Sequence, residues 1–192
     1  MDAFETLIAT LNQITSLSAE EEALYRKAFQ PFTLKKNEYF LQATAINYRL
    51  GFLTKGLVRY FVFKKEEEST LEFTKEGEFV ADYASFISKE PSIQNIQALE
   101  DCEFLVIDYD SLQKLYQSAP SANLLGRIII EHRFIIMVNQ LLTVHRYSPE
   151  ERYGYFLTHY KDLVQRIPQY LIASYVGVKP QSLSRIRKRI VM

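Results

Sequence analysis

The sequence holds one cysteine, Cys102, and three histidines, and this shortage excludes several kinds of site. A single cysteine cannot form a disulfide within the chain, and an iron–sulfur cluster takes about four cysteine ligands. His132, His145 and His159 are spread over predicted helices and do not pair as metal or haem ligands. The sequence also lacks the His-x-His pattern that holds a metal in cupin-type enzymes. We therefore expect no metal, no cofactor and no enzymatic activity.

Glycine and proline are scarce, at six residues each, and no long apolar run is present. The scarcity of glycine and proline leaves little room for disordered linkers. The lack of a long apolar run predicts that there is no membrane-spanning helix. The first ten residues include Asp2 and Glu5 and lack the basic start of a signal peptide. These features predict a cytoplasmic protein without a membrane partner.

Net charge is zero, but the two signs are unevenly distributed along the sequence. Residues 146–192 contain nine Lys/Arg and three Asp/Glu, a net charge of +6, so residues 1–145 carry −6. A basic C-terminal region on an acidic body is typical of a nucleic-acid reader with a separate body domain.

The C-terminal end of the sequence has the pattern of two short helices joined by a tight turn. Pro168 suits a helix start, apolar residues follow at helical spacing, and Gly177 suits the left-handed conformation that ends a helix. Pro180 suits the first turn of a second helix, in which Leu183 and Ile186 face the first. This arrangement predicts a helix-turn-helix, whose second helix enters the major groove of DNA.

The second of these helices is strongly basic. Five Lys/Arg and no acid fall between residues 179 and 192, and a cationic stripe of this kind neutralises DNA phosphates. Arginine to guanine is the commonest contact with a base edge, and Gln and Ser also reach such edges. We predict base contacts by Gln181 and Arg185 with support from Ser182 and Ser184, and phosphate contacts by Lys179, Arg187, Lys188 and Arg189. The alternative is a basic amphipathic helix that is only a solvated end of the chain.

The middle of the sequence, from about residue 32 to residue 107, is rich in short runs of aromatic and β-branched residues. Lys55-Gly56 and Glu76-Gly77 are turn signals between such runs. Many short strands at close spacing predict a small sandwich or barrel such as a jelly roll. The expected strands are 39–42, 48–53, 57–64, 69–73, 93–99 and 103–107, and residues 79–87 are expected to form a short helical turn.

Helices are expected on both sides of this β-region, which makes the fold class α+β. Two short helices, 3–14 and 18–29, precede it, and a third at 110–116 follows it. A capped helix from Ser148 to about Leu163 is expected to begin the C-terminal domain. The predicted parts are a β-roll sensor-like domain with N-terminal helices (1–118), a dimerisation helix (119–146) and a helix-turn-helix DNA-binding domain (147–192).

The longest predicted helix runs from Ser121 to about Arg146 and is apolar on two stripes. One stripe consists of Leu124, Ile128, Ile135, Val138 and Leu142. Leu125, Ile129 and Ile136 line the other. Such a helix typically buries one stripe against its own domain and the other against a partner, so we expect a homodimer formed by parallel copies of this helix. The alternative is the central core helix of a monomer.

The order of these parts and three local motifs resemble the Crp/Fnr family of bacterial transcription regulators. Residues 50–63 (LGFLTKGLVRYFVF) are similar to the family's strand–glycine–strand hairpin, and GEF at 77–79 with 98–107 (ALEDCEFLVI) is similar to the edges of its nucleotide cassette. Residues 148–152 and 172–189 resemble the start and centre of its DNA-binding domain. The resemblance implies a cyclic-nucleotide-binding-like β-roll of the double-stranded β-helix type. It also implies a palindromic DNA operator and RNA polymerase as partners.

The sequence departs from the family's nucleotide-binding pattern. Cyclic-nucleotide binders carry Gly-Glu-Leu where this chain has Ala81, Asp82 and Tyr83, and their phosphate-binding arginine falls near Ser92 here. Because an anionic phosphate is costly to bury without a cation, we expect cyclic AMP to bind poorly or not at all. If the pocket holds an unknown small-molecule effector, its nearest polar groups are Asp82, Tyr83, Ser85, Ser92 and Gln94. A filled, vestigial pocket is the alternative.

A further departure lies at the C-terminal end. The sequence stops soon after Ile190, whereas many members of the family continue into a wing hairpin. We therefore expect a helix-turn-helix domain with a reduced or absent wing.

The leading hypothesis is a homodimeric, sequence-specific DNA-binding transcription regulator of Crp/Fnr type. Its effector would be something other than cyclic AMP, or it would have none. The alternative is a small-molecule- or nucleotide-sensing β-roll module that acts mainly through a protein partner.

Overall fold

The computed structural model describes residues 2–190, with Ile190 described by its backbone alone. The chain divides into two compact units. The first unit comprises Met1–Val62 and Glu72–Ile130, and the second comprises Phe63–Leu71 and Glu131–Met192.

Helices and strands follow one another in a mixed order along the chain. The helices are α1 (Ala3–Asn12), α2 (Ala19–Ala28), α3 (Tyr83–Ser88), α4 (Tyr109–Ser118), α5 (Ala122–Arg146), α6 (Pro149–His159), α7 (Gln169–Val176) and α8 (Pro180–Ile190). The strands are β1 (Gln30–Leu34), β2 (Tyr39–Leu41), β3 (Arg49–Lys55), β4 (Leu57–Lys64), β5 (Glu67–Lys75), β6 (Phe79–Val80), β7 (Asn95–Ala98) and β8 (Cys102–Asp108).

The strands form two sheets with crossed connections. One sheet has the order β1-β8-β3-β6 and the other has the order β2-β7-β4-β5. The pairs β1–β8, β3–β8, β3–β6, β2–β7 and β4–β7 are antiparallel. Sequential strands thus alternate between the two sheets except for β4 and β5, which are neighbours in one sheet. This is the arrangement of a β-roll. The prediction of a β-roll with helices is confirmed.

Two apolar clusters hold the first unit together. One fills the interior of the roll and includes Leu53, Tyr60, Ile96 and Phe104. The other packs α1, α2, α4 and the start of α5 against the roll, and its members include Leu125. Strand side chains alternate between faces, so β3 and β8 contribute to both clusters.

Gly56 is needed at the turn between β3 and β4. Its φ is +101°, a conformation that L side chains rarely adopt, and an added Cβ would lie 2.7 Å from both the Asp101 carbonyl oxygen and the Cys102 Sγ. The turn predicted at Lys55-Gly56 is therefore fixed by glycine for two independent steric reasons.

The structure differs most from the sequence prediction in three places. Strand β1 was not predicted; it pairs with β8 at the edge of its sheet, where the missing N–H of Pro31 is tolerated. Residues 79–87 were predicted as a helical turn, but Phe79 and Val80 pair with β3 before α3 begins at Tyr83. Helix α6 ends at His159 rather than near Leu163.

The predicted long helix is present as α5, and its two stripes have different surroundings. On the second stripe Leu125 is buried and Ile129 packs partly against the α1–α2–α4 cluster. On the first stripe Leu124, Ile135 and Leu142 are exposed, with Ile135 at 58% and Leu142 at 55% of their maximum. An apolar surface of this kind on a single chain is typical of an interaction face.

Candidate nucleic-acid interface

Helices α7 and α8 pack on each other through small and branched side chains. Helix α7 buries Leu171, Ile172 and Ala173, and α8 buries Leu183 and Ile186. Ala173 is fully buried, and its small side chain permits close approach of the two helices. Each helix is too short to be stable alone, so its position depends on this packing.

A glycine closes α7 and sets the direction of α8. Gly177 has φ +78° and donates its N–H to the Ser174 carbonyl, and the Val178 N–H donates to the Ala173 carbonyl at 2.9 Å. This pair of bonds is a Schellman motif, in which a left-handed residue satisfies the last carbonyls of a helix. The Lys179 carbonyl then accepts the first hydrogen bonds of α8.

Arg152 bonds to the C-terminal ends of two helices, α5 and α7, and was not singled out from the sequence. Its Nε donates to the Val176 carbonyl at 2.8 Å, and its Nη1 donates to the Val144 and Tyr147 carbonyls at 3.3 and 3.4 Å. A guanidinium at helix C-termini pairs with their unsatisfied carbonyls and with the negative end of the helix dipole. Arg152 itself lies on α6, whose capped start at Ser148 is present as predicted.

The outward face of α8 carries polar and cationic side chains. At 100° per residue, Gln181, Arg185 and Lys188 fall on the side opposite the buried Leu183 and Ile186. Gln181, Ser184, Arg185 and Lys188 are exposed, and Ser182 is half-buried at the edge of this face. Arg185 and Lys188 have no ion-pair partner within residues 2–190.

Three other cations of the predicted DNA-binding set have partners in the second unit. Arg187 donates from Nη1 to Gln169 Oε1 at 2.7 Å, which links α8 to the start of α7. Arg189 pairs with Glu150 at the start of α6. Lys179 pairs with Glu67 at 2.5 Å. These pairs divide the predicted set into outward-facing residues and residues bound within the protein.

The predicted ligand-pocket residues Asp82, Ser85 and Ser92 are buried and joined by hydrogen bonds. Asp82 caps α3 by accepting from the Ser85 N–H at 3.3 Å, and it accepts from the Ser92 hydroxyl at 2.6 Å. The Ser85 hydroxyl donates to the Glu90 carbonyl at 2.5 Å. The Asn47 N–H donates to the Ser85 Oγ at 3.0 Å. The polar groups of this cluster thus satisfy one another.

The remaining predicted pocket residues contribute less to this network. Tyr83 is 36% exposed, and partial burial raises the pKa of its hydroxyl. Gln94 is half-buried and contacts Ser92 through its backbone, with its N–H donating to Ser92 Oγ at 3.0 Å.

A buried arginine in β4 points away from this cluster. Arg59 donates from Nε and Nη2 to Gln97 Oε1 at 3.1 and 2.8 Å and lies 4.1 Å from the Phe61 ring centroid. Its neighbour Tyr60 lies on the other face of the strand, where its hydroxyl accepts from the Ala81 N–H. Because strand side chains alternate between faces, Arg59 is not positioned to supply a cation beside Asp82.

We expect Asp82→Ala to destabilise the first unit by about 2–4 kcal/mol, because it removes a helix cap and leaves the Ser92 hydroxyl without its carboxylate acceptor. Asp108→Ala is the matched control: Asp108 caps α4 by accepting from the Ser111 N–H at 2.8 Å, but it is exposed. Its loss is expected to cost about 1 kcal/mol. Urea unfolding measures the free energy of unfolding of both variants. Equal losses of stability in the two would contradict the buried network.

The part of the chain that the structure describes shows no cluster of three or more metal-ligating side chains. None of its helices combines the length and apolar character needed to cross a membrane. Cys102 is buried, and burial raises the pKa of its thiol to about 11. Cys102 is part of the apolar cluster inside the β-roll.

One segment of the chain matches a known domain family. Residues 31–119 match the model of the cyclic nucleotide-binding domain. A search of curated proteins gives no match to this sequence.

Solved structures of bacterial regulators share the fold. The cyclic-di-GMP-responsive global regulator CLP of Xanthomonas campestris is 17% identical, with 90% of this chain and 91% of that chain covered and a TM-score of 0.73. The catabolite activator protein of Thermus thermophilus is 19% identical, with 95% and 86% covered and a TM-score of 0.60. A Crp/Fnr-family regulator of Eubacterium rectale is 14% identical, with 90% and 83% covered and a TM-score of 0.70. The chain therefore contains a segment that matches the cyclic nucleotide-binding domain family, and it has the fold of Crp/Fnr-type regulators.

Proposed function

We propose that this protein is a sequence-specific DNA-binding transcription regulator of Crp/Fnr type that works as a homodimer. The observation that carries the proposal is the outward face of α8, where Gln181, Ser184, Arg185 and Lys188 are exposed opposite a buried apolar face. A helix presented in this way, with α7 behind it, is suited to the major groove. In this proposal α7 and α8 form the helix-turn-helix.

The predicted contacts divide into two groups. Arg185 and Gln181 read base edges, since both side chains can make bidentate contacts there. Ser182 and Ser184 support them at the rim of the face. Lys188 contacts phosphate directly, whereas Lys179, Arg187 and Arg189 must exchange or share their intramolecular partners to do so.

A salt titration tests DNA binding itself. The intact protein should bind a random-sequence duplex with an affinity that falls steeply as salt rises, because each phosphate contact releases about 0.9 counterion. Fluorescence anisotropy with a labelled duplex measures this slope. Absence of binding at about 20 mM salt, where phosphate contacts are strongest, would contradict the proposal.

The exposed apolar face of α5 supports homodimerisation through this helix. Leu124, Ile135, Val138 and Leu142 are exposed along one stripe, and Ile128 is half-buried within it. A second copy of the same helix covers such a stripe economically. Two-fold symmetry would also give the dimer two α8 helices for the two halves of a palindromic operator. RNA polymerase is the partner through which a regulator of this type would act.

The proposed effector is something other than cyclic AMP, or there is none. The carboxyl group of Asp82 accepts hydrogen bonds from Ser85 and Ser92, and its backbone carbonyl accepts from the Asn47 side chain. None of these partners is a cation that could neutralise a cyclic phosphate. Regulators with this fold respond to other ligands, as the cyclic-di-GMP-responsive CLP does. If the protein has no effector, its pocket is filled and is closed by the hydrogen bonds of Asp82 and Ser92.

We therefore expect no measurable binding of cyclic AMP at millimolar concentration. The physical reason is that its phosphate would be buried beside the Asp82 carboxylate without a compensating cation. Isothermal titration calorimetry of the full chain measures this, with a parallel titration of 5′-AMP as control. Tight cyclic AMP binding together with no DNA binding at low salt would favour the alternative, a nucleotide-sensing module that acts through a protein partner.

A further inference from the structure

Strand β5 of the β4–β5 hairpin is hydrogen-bonded to α7. The Thr70 N–H donates to Ser174 Oγ at 2.9 Å, and the Ser174 hydroxyl donates to the Glu68 carbonyl at 2.9 Å. One hydroxyl thus serves as acceptor and donor to two backbone groups more than 100 residues away in sequence. Serine inside a helix commonly bonds back to its own helix, so this use of Ser174 fixes the hairpin on α7.

The same hairpin places a carboxylate on a cation of the proposed DNA-binding set. Glu67 Oε1 lies 2.5 Å from Lys179 Nζ, and this contact lowers the pKa of Glu67. Glu66 and Glu68 flank it, so residues 66–68, which we call the tip, are three consecutive acids that follow Lys64 and Lys65 at the β4–β5 turn. All of these residues belong to the second compact unit.

Lys179 occupies a position where DNA would meet it. Its carbonyl accepts from the N–H groups of Ser182 and Leu183 and so begins α8. The Lys179 ammonium therefore lies at the N-terminal end of the proposed reader, the end that contacts base edges and the neighbouring backbone in helix-turn-helix proteins. A carboxylate and a DNA phosphate both bind this ammonium as anions, and adjacent acids repel a phosphate.

We propose that the hairpin tip competes with DNA for Lys179. The Glu67 carboxylate pairs with the Lys179 ammonium where a DNA phosphate would bind, and Ser174 holds the hairpin on α7 so that this pair persists. This inference rests on the proposed function. DNA binding would require Lys179 to leave Glu67 or to share it, so anything that lifts the tip from α7 would raise DNA affinity. The acidic tip is thus a regulatory element acting on the proposed reader.

The expected size of the effect is modest. Both partners are largely exposed, at 68% and 75% of their side chains, and exposed pairs change an equilibrium by about two- to five-fold. The tip would therefore tune affinity rather than switch binding on and off. Release of the tip should also steepen the slope of log affinity against log salt concentration by about 0.9, because Lys179 then makes a full phosphate contact.

Binding of the full chain to a random-sequence duplex, with Glu67→Gln compared to Glu66→Gln, tests the proposal. The two changes remove the same charge from adjacent positions, but Glu66 makes no ion pair among the described residues. We expect Glu67→Gln to bind about two- to five-fold more tightly than Glu66→Gln and with the steeper salt slope. In a Lys179→Gln background the two variants should bind equally.

Ser174→Ala provides a second test of the anchor. Alanine is a better helix former than serine, so α7 is not weakened, while both hydrogen bonds to the hairpin are lost. Affinity should rise in the same direction as in Glu67→Gln. A loss of affinity in either variant would show that the tip supports the reader, and this would overturn the proposal.

A DNA-free measurement separates this proposal from the proposed function. Carbon-13 NMR titration of the Glu67 carboxyl should give a pKa below the ordinary value for glutamate, and Lys179→Gln should return it toward that value. An unshifted carboxyl overturns the inference whatever the protein binds. If no variant binds DNA at low salt, the proposed function fails and the competitor role fails with it. If the wild type binds DNA and the Glu67 and Glu66 variants agree, only the competitor role fails.

Discussion

Arg185→Ala is expected to remove much of the protein's preference for its operator while leaving most of its affinity for random DNA. Arg185 lies at the centre of the outward face of α8 and is exposed, so its guanidinium is free to make a bidentate contact with a guanine. Loss of such a contact costs about 1–3 kcal/mol of discrimination, roughly 5- to 150-fold. The ratio of operator to random-sequence affinity, measured by competition at fixed salt, reports it.

Lys188→Ala is the matched variant, from the same exposed face and with the same loss of charge. A phosphate contact carries no sequence information, so affinity should fall equally for the operator and for random DNA. The log–log salt slope should also become shallower by about 0.9. If the two variants behave alike on operator and on random DNA, the assignment of Arg185 to base reading is wrong.

Ile135→Asp is expected to convert the protein from a dimer to a monomer. In the proposed dimer Ile135 lies in the middle of the α5 interface, where an unpaired carboxylate would be buried at high cost. In a single chain the side chain is 58% exposed, so the fold of the protomer should survive. Linking two readers typically raises affinity by about 10²- to 10⁴-fold. Operator binding should therefore weaken by about 10²-fold or more.

The control for this variant is Gln140→Glu, which introduces the same charge on the same helix. At 100° per residue, position 140 lies about 160° from the Leu124–Leu142 stripe. Sedimentation velocity and operator binding should remain those of the wild type. A wild-type dimer in Ile135→Asp, or a monomer in both variants, would contradict dimerisation through this stripe.

Local patterns predicted the elements that depend on nearby residues. The capped helix start at Ser148, the Gly56 turn and the length of α5 could all be recognised from spacing and residue type. Each of these features is decided by residues within one or two turns of chain. The β-roll was also predictable as a class, because many short aromatic strands allow few other folds.

Strands that depend on distant partners were harder to predict. Strand β1 contains Pro31, a poor strand residue, and it forms because β8 offers an unpaired edge 68 to 76 residues away. Strand β6 has two residues and depends on β3 in the same way. Neither carries a periodicity that a sequence pattern could detect.

For the candidate site, the sequence predicted which residues face outward but not which residues they contact. The buried positions of Leu183 and Ile186 follow from helical spacing, and they determine the exposed face of α8. The partners Glu67, Gln169 and Glu150 come from other elements, and no local rule relates them to Lys179, Arg187 and Arg189. Long-range ion pairs of this kind require the tertiary structure.

Selection of bound duplexes from a random DNA pool tests the central claim most directly. The intact protein should enrich a palindromic site whose half-sites are centred about one helical turn apart, roughly 10–10.5 base pairs, since a two-fold dimer presents two copies of α8. Arg185→Ala should fail to enrich the same site. A pool that shows no enriched sequence after selection at low salt would contradict the account.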